Sequence, residues 1–366
     1  MAQSERRMAK AIAPVWVLAL FVGVGLGSNA GCKEAPPQPS VPVARPRQFV
    51  REIPFPGGTE WLHTCGEYLA AVSRRHDVYV WEWDNLQAAP RICKDEVKGS
   101  AAAFMLPDLV VVETTSMEAP DPLHPVLLKN VDSGAELRRW TFGPNLFCND
   151  MRTSQNGRWV AFRAQANGEW SFHVGLLDPA SEEPLWVSEF QQERGTLMAS
   201  HVAPSEDGRY IAVVGIHDGA WIAVADVETK KALWNKRQKG AGGFNDLAFS
   251  PDSKKIYAGG TCGGIFGYDV ATGEITGRWM MGEGKDDEYG YRITCVAASL
   301  DGELVAAGTG PEGDVYLWSV KTGEQVAVFQ TRQATIMGMT FSPDSTRLAV
   351  TGVANQSIEI WDVTQK

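Results

Sequence analysis

The sequence predicts an all-β fold made of seven copies of a unit of about four short strands. The clearest copies run from Phe249 to Glu274, from Ala297 to Glu324 and from Phe341 to Val363. Each contains a short turn, an apolar strand pair and a dipeptide similar to Trp361-Asp362. Repeats of roughly 40–50 residues with four strand-sized pieces are typical of a β-propeller. We therefore expect a seven-bladed β-propeller of four-stranded antiparallel blades.

The position of Trp361 gives the number of copies, because its equivalents recur at intervals of 43 to 50 residues. These equivalents are Trp81, Lys129, Leu177, Ala225, Tyr268 and Trp318. In the third and fourth copies, Asn156-Gly157 and Asp207-Gly208 supply the turn between two apolar runs. The second copy is the weakest, since Leu106-Pro107-Asp108 takes the place of this turn.

The pieces within each copy have the polarity of strands. Val315–Trp318 and Ile358–Trp361 alternate or nearly alternate between the two faces, as half-buried strands do. Asp269–Glu274 and Ser319–Glu324 are polar turns, and the second is followed by a further strand at Gln325–Phe329. The repeat region contains no window of helical period, which favours an all-β domain.

At these residues the chain resembles the WD-repeat family of β-propellers, over about Gln48 to Lys366. The similarity is strongest in the last three copies. The Gly-His pair that opens each repeat of the family is absent here, which puts the Asp-His-Ser/Thr-Trp hydrogen-bond network of the family in doubt. The resemblance implies a divergent propeller that relies on apolar packing between blades and presents a rigid face to protein partners.

The two ends of the repeat region predict how the ring closes. The sequence stops five residues after Trp361, so the seventh copy lacks a fourth strand. Gln48–Ile53 precedes the first copy and has strand character. Pairing this segment with Ile358–Trp361 would remove an open sheet edge. The alternative is a disordered tail before the domain.

Residues 1–31 are typical of a lipoprotein signal peptide. Arg6, Arg7 and Lys10 precede an uncharged apolar stretch from Ala11 to Gly27, and small residues then lead to Cys32. The stretch is short for a membrane span of about 20 residues. We expect cleavage before Cys32 and acylation of that residue. A plain secretory peptide and an uncleaved anchor are the alternatives.

A proline-rich tether is expected over residues 32–47, because five prolines and no apolar period keep such a segment extended. It would hold the propeller, residues 48–366, away from a bacterial membrane. Lys33 follows the lipidated position where Asp would signal retention at the inner membrane, which favours the outer membrane.

The composition and the motifs of the sequence argue against several classes of function. The net charge is −10 over 366 residues, which argues against nucleic-acid binding and against a basic patch for anionic lipid. The six cysteines show no Cys-x-x-Cys spacing, so neither a zinc site nor a redox motif is expected. Gly260–Gly264 lies between two predicted strands and opens no helix, so it offers no phosphate cradle. No nucleophile motif and no cofactor motif is present, and we expect no enzyme activity and no cofactor.

Superposition of the copies nevertheless groups polar side chains on the first strands. Asp246 of the fifth copy is equivalent to Asp150, His201 and Cys295 of the third, fourth and sixth copies, and to Ala101 and Gly338 of the second and seventh. First strands line the channel of a propeller, so these side chains are expected near one rim. Carboxylate, imidazole and thiolate are metal-ligand types. A water-filled channel mouth is the simpler interpretation, and a metal or catalytic site is the alternative.

A long segment, Met280–Arg292, joins the fifth copy to the sixth and carries Tyr289, Tyr291 and Arg292. Aromatic residues and Arg are enriched at interface hot spots. We therefore predict that a protein partner binds the rim with this segment, Asp150, His201 and Asp246. The sequence favours a non-enzymatic scaffold, lipid-anchored in the bacterial cell envelope. An enzyme or a propeller that binds a small ligand or metal at the channel mouth is the alternative.

Overall fold

The structure is a computed structural model that describes residues 48–55, 59–73, 77–94, 102–106, 110–114, 125–142, 146–166, 171–178, 181–191, 197–217, 219–238, 242–261, 263–281, 292–353 and 355–364. Outside these residues lie the predicted signal peptide, the tether, and the single residues Cys32, Ala101, Cys262, Tyr289 and Tyr291. Among the residues described, no helix has the length and apolar character needed to cross a membrane.

The described strands form seven four-stranded antiparallel sheets, numbered here in chain order. Sheet 1 contains β2 (Thr59–Cys65), β3 (Tyr68–Ser73), β4 (Val78–Glu82) and β5 (Arg91–Cys93), and a 3₁₀ turn at Trp83–Asn85 follows β4. Sheet 2 contains β6 (Ala102–Met105), β7 (Val110–Thr114), β8 (Val126–Asn130) and β9 (Glu136–Trp140). Sheet 3 contains β10 (Leu146–Thr153), β11 (Val160–Ala166), β12 (Ser171–Leu177) and β13 (Leu185–Gln191).

The remaining four sheets have the same strand order. Sheet 4 contains β14 (Leu197–Pro204), β15 (Tyr210–His217), β16 (Ala220–Asp226) and β17 (Lys231–Gln238). Sheet 5 contains β18 (Phe244–Phe249), β19 (Lys255–Gly260), β20 (Gly264–Asp269) and β21 (Ile275–Met280). Sheet 6 contains β22 (Arg292–Ala298), β23 (Leu304–Gly310), β24 (Asp314–Ser319) and β25 (Gln325–Gln330). Sheet 7 contains β26 (Ile336–Phe341), β27 (Arg347–Gly352), β28 (Ser357–Asp362) and β1 (Gln48–Pro54).

Where the structure describes their side chains, the middle strands are largely buried on both faces, because each sheet packs against its neighbours. All seven residues of β16 and all seven of β23 are buried. Side chains of consecutive sheets share the same apolar clusters, as Phe266 of sheet 5 does with Val224 of sheet 4. Burial on both faces explains why these strands read as continuous apolar runs and not as a strict alternation.

A recurring turn joins the first strand to the second in five sheets. In sheet 5 the Ser250 hydroxyl donates to Asp252 Oδ1 at 2.6 Å and accepts a bond from the Lys255 amide at 2.9 Å. The same bonds recur around Ser154, Ser205, Ser299 and Ser342. Ser253 of this turn and Ser345 of sheet 7 have φ of 59° and 58°, a left-handed conformation that Gly fills in the other three turns. The motif therefore recurs because it satisfies the polar groups of a tight turn.

The ring closes through β1. This strand pairs antiparallel with β28, with Phe49 opposite Trp361 and Ile53 opposite Ile358, which is the closure that the sequence predicts. The rings of Phe49 and Trp361 lie edge to face with centroids 5.5 Å apart. Strands from the two ends of the described chain thus complete sheet 7.

The expectation of a seven-bladed propeller is wrong, because only six of the described first strands line the channel. The described residues that line it come from β2, β10, β14, β18, β22 and β26, and none comes from β6. At the turns, the Gly66 amide of sheet 1 donates to the Gln155 carbonyl of sheet 3 at 3.0 Å, which joins these sheets directly. Phe104 of β6 packs among sheet 1 side chains, and its amide donates to Thr153 Oγ1 of sheet 3 at 3.2 Å. Sheet 2 thus packs against sheets 1 and 3 but contributes no described residue to the channel lining.

Candidate functional site: the central channel and its upper rim

A β-bulge at one equivalent place shapes the first strands of the inner ring. The pairing register of each shifts by one residue immediately before a channel position. These positions are Trp61, Asp150, His201, Asp246, Cys295 and Gly338. Bulges bend a strand and redirect a side chain. The structure thus places the predicted polar residues at equivalent positions, beside the rim at which the first strands begin, here called the upper rim.

The two carboxylates at these positions connect neighbouring sheets. Asp150 Oδ2 accepts a hydrogen bond from the Val202 amide of sheet 4 at 2.7 Å, and Asp246 Oδ2 accepts one from the Val296 amide of sheet 6 at 2.8 Å. Asp150 is 3% exposed and Asp246 is 2% exposed. Their oxygens are occupied within the ring, so these two predicted contact residues stabilise its assembly.

An arginine crosses the channel and pairs with one of these carboxylates. Arg152 Nη2 of sheet 3 lies 3.1 Å from Asp246 Oδ1 of sheet 5. The Arg152 guanidinium carbon lies 4.5 Å from the centroid of the Trp61 ring, and the edge of that ring contacts His201 at 4.9 Å between centroids. Four inner strands therefore meet in one layer of charged and aromatic side chains, which we call the channel layer: Trp61, Arg152, His201 and Asp246.

His201 does not form a catalytic dyad with Asp150, since His201 Nδ1 lies 3.6 Å from Asp150 Oδ2, beyond hydrogen-bond distance. Burial alone would raise the pKa of Asp150, but the neighbouring His201, Arg152 and Arg163 outweigh it and hold that pKa below its ordinary value. Asp150 is therefore an anion at neutral pH. Structural ion-pair networks shift pKa values just as catalytic sites do, so the lowered pKa of Asp150 does not by itself identify a catalytic residue.

Below the channel layer lies a small cavity of about 70 Å³, lined by His63, Gln155 and Thr340 among others. Burial, with a further contribution from the Arg152 cation, lowers the pKa of His63 to about 3, so the imidazole is neutral. Pockets for organic ligands usually measure about 300–1,000 Å³. The cavity is large enough for a few water molecules only.

Among the described residues, the Cys295 thiol and the other potential metal ligands of the channel do not come together at a metal site. Cys295 is buried, and burial raises the pKa of its thiol, which keeps it protonated and unreactive. Among the residues that the structure describes, no three His, Cys, Asp or Glu side chains form a group able to hold a metal ion. The four described cysteines, Cys65, Cys93, Cys148 and Cys295, are all buried.

Exposed apolar side chains lie at the upper rim. Met337 occupies the bulge of β26 and is 37% exposed, and Val353, just after β27, is 48% exposed. Met280 ends β21 and is 46% exposed. Of the predicted contact residues of the long segment, Arg292 begins β22 and is half-buried. The upper rim thus carries apolar surface close to the predicted partner site.

Sequence reasoning missed Trp61, His63, Arg152, Met337 and Val353. Arg152 is a cation two residues after Asp150 on an inner strand, which is a detectable signal for a buried ion pair. No sequence signal marks Met337 and Val353 as exposed, because an isolated apolar residue in a repeat is predicted to lie in the core.

Comparison with known proteins supports a WD-repeat β-propeller. Residues 323–362 match the family model "WD40: WD domain, G-beta repeat". WD repeat-containing protein 1 of Xenopus tropicalis is 25% identical over 218 residues, 46% of this chain and 35% of that protein. Periodic tryptophan protein 2 homolog of Dictyostelium discoideum is 24% identical over 225 residues, 57% of this chain and 21% of that protein. The matched region therefore spans about a third or less of the length of these relatives.

Solved structures show the same fold. The crystal structure of the Myceliophteria thermophila Cps50 (Swd1) beta-propeller domain has a TM-score of 0.65 at 16% identity, covering 87% of this chain and all of that one. A chain in the crystal structure of the mitotic checkpoint complex has a TM-score of 0.67 at 17% identity, covering 93% of this chain and all of that one. At these identities the likeness establishes the fold alone, and a propeller of this kind fits protein–protein interaction in general.

Proposed function

We propose that this chain is a non-enzymatic scaffold that binds a protein partner through the upper rim of its propeller. The observation that carries the proposal is the contrast between the two parts of this region. The charged side chains of the channel are paired inside the ring, whereas Met337, Val353 and Met280 expose apolar surface at its rim. A rigid ring with exposed apolar side chains suits partner binding, because little conformational entropy is lost on association.

Chemistry at the channel mouth is the weaker candidate. The channel cavity of about 70 Å³ is too small for an organic substrate. Asp150 and Asp246 are buried and each accepts a backbone hydrogen bond from a neighbouring sheet, which favours a structural role for both carboxylates.

Site-directed variants paired with affinity capture test the rim. Met337→Asp with Val353→Asp should abolish recovery of a partner, because two charges would be placed in its apolar contact. The matched control is Ile92→Asp with Leu137→Asp, which changes two side chains of similar exposure on the outer strands β5 and β9. Tyr289→Ala with Tyr291→Ala should weaken the same association. Equal recovery with the rim variant and with the control would refute the proposal.

We further propose that the scaffold is tethered to the bacterial cell envelope through acylated Cys32. The support is the sequence: a positive stretch, an apolar stretch and small residues precede Cys32, and prolines follow it. Two or more acyl chains would give stable membrane attachment. Mass spectrometry of the N-terminal peptide should show a lipid-modified Cys32. An unmodified Cys32, or a peptide that retains Met1, would refute the tether and leave the rim proposal untouched.

A further inference from the structure

The outer strand of sheet 4 differs from the other outer strands in charge and length. β17 has eight residues, the longest of the seven fourth strands. The segment Lys230–Lys239 contains five cations and no carboxylate, in a chain whose net charge is −10. Within the part of the chain that the structure describes, Lys230, Lys231 and Lys236 form no ion pair. A local cationic surface on an acidic protein attracts an acidic partner.

A groove runs between β17 and the adjoining turn of sheet 5, and we call it the β17 groove. It has a volume of about 280 Å³ and is lined by Lys236, Arg237, Gln238, Tyr268 and the segment Gly273–Ile275. Ile275 is 37% exposed, so the groove offers apolar as well as cationic contacts. Glu274 is the one acidic residue among those described in its lining.

The groove is held open by a fixed framework. Lys236 Nζ donates to the carbonyls of Thr272 at 3.1 Å and Gly273 at 2.7 Å. The Trp234 indole donates to the Val270 carbonyl at 2.7 Å. Because these bonds tie β17 to the turn of sheet 5, the shape of the groove is set before any ligand binds, which lowers the entropic cost of binding.

The backbone of β17 offers a further recognition element. β17 is the last strand of its sheet, so one of its edges pairs with no strand among the residues that the structure describes. A sheet edge accepts an extended peptide as an additional strand, with main-chain hydrogen bonds for affinity and side-chain contacts for specificity. An added strand here would run beside Lys231 and Arg237, which are both exposed and which the bulge of β17 places on opposite faces of the sheet.

We propose that the β17 edge and the β17 groove bind an extended acidic segment of a partner protein, with carboxylates toward the cations and an apolar side chain near Ile275. The strand edge favours a peptide over a nucleic acid, since a nucleic acid has no peptide backbone with which to extend the sheet. This surface is distinct from the upper rim, so the inference does not depend on the proposed function.

The probe is a fluorescein-labelled eight-residue peptide of alternating Glu and Val, matched to the length of β17. Fluorescence anisotropy with the full chain should show saturable binding that weakens with salt. Lys231→Glu with Arg237→Glu should weaken binding at least tenfold. Arg158→Glu with Lys321→Glu, exposed sites on sheets 3 and 6, imposes the same change of net charge and should leave the dissociation constant within twofold.

Two further probes separate strand pairing from general charge attraction. The same peptide methylated on alternate backbone nitrogens should lose binding, because it cannot complete the ladder of main-chain hydrogen bonds. A Lys-Val peptide should not bind. The proposal is overturned by equal binding of the methylated peptide, by equal weakening in the control variant, by tighter binding of oligothymidylate than of the Glu-Val peptide, or by no binding at millimolar peptide. Upper-rim variants should leave this binding unchanged, which separates the two proposals.

Discussion

The neutral imidazole of His63 predicts a specific loss of stability in acid. The pKa of His63 is about 3 in the folded ring and 6.5 in an unfolded chain, because burial and the Arg152 cation oppose protonation. Above pH 6.5 both states are neutral at this residue and no proton linkage exists. As the pH falls from 6.5 toward 3, the unfolded state takes up a proton that the folded state does not, so the folded state loses stability.

The size of this loss of stability follows from the pH interval between the two pKa values of His63. Each pH unit within it is worth about 1.36 kcal/mol, so the full penalty approaches about 5 kcal/mol and about 2 kcal/mol is reached near pH 5. His63→Gln removes the titrating group and keeps a polar side chain in the cavity. The variant should therefore lose less of its free energy of unfolding than the parent between about pH 7.5 and 5, by about 2 kcal/mol.

Urea denaturation at the two pH values measures this difference, and titration of ¹⁵N-labelled histidines by NMR measures the protonation of His63 directly. His201 and His173, which are more exposed, provide internal comparisons in the spectrum. A His63 that titrates near pH 6.5 in the folded protein would refute the reasoning. So would the same pH dependence of unfolding in the parent and in His63→Gln.

Three further substitutions test other parts of the ring, each by its urea midpoint or Tm. Asp246→Asn should cost about 2–4 kcal/mol because it leaves Arg152 without its buried anion, whereas Asp84→Asn, at a fully exposed carboxylate, should cost almost nothing; equal midpoints would contradict this. Ile53→Asp should cost on the order of 3–5 kcal/mol by burying a charge in the closing strand, and Val50→Asp, at a half-exposed site of that strand, less than about 0.5 kcal/mol; an unchanged Tm for Ile53→Asp would count against closure. Gly157→Ala and Gly323→Ala should each cost about 1 kcal/mol because both strain a left-handed turn. Only Gly157 is packed against Cys65 and Leu106, so its substitution should cost about 1–3 kcal/mol more. Equal costs for the two variants would contradict this packing.

Local sequence signals predict the repeating elements well. The equivalents of Trp361 at Trp81 and Trp318 lie on third strands, β4 and β24, because apolar third strands are buried in every sheet. Asp150, His201 and Asp246 also occupy equivalent positions in the structure, because the strand register repeats from sheet to sheet. These features depend on residues close together in the chain, where polarity and turn residues determine conformation.

Features that join distant residues could not be predicted. The pairing of Arg152 with Asp246 crosses the channel between nonadjacent sheets, so no repeat position encodes it. The absence of sheet 2 from the described channel lining depends on contacts between sheets, such as the bond from the Gly66 amide of sheet 1 to the Gln155 carbonyl of sheet 3. Repeat counting treats all copies as equivalent, and this equivalence fails at sheet 2, whose described residues do not line the channel.

The pairing of β1 with β28 has a consequence for biosynthesis. β1 is the first described strand to leave the ribosome and β28 is the last, so sheet 7 can be completed only when synthesis of the domain is nearly finished. The bond from the Thr64 amide to Thr340 Oγ1, across 276 residues, has the same requirement. Contacts of such large sequence separation slow folding. Until they form, both strands have unpaired edges, and the nascent chain is exposed to aggregation in the interval during which a chaperone would protect it.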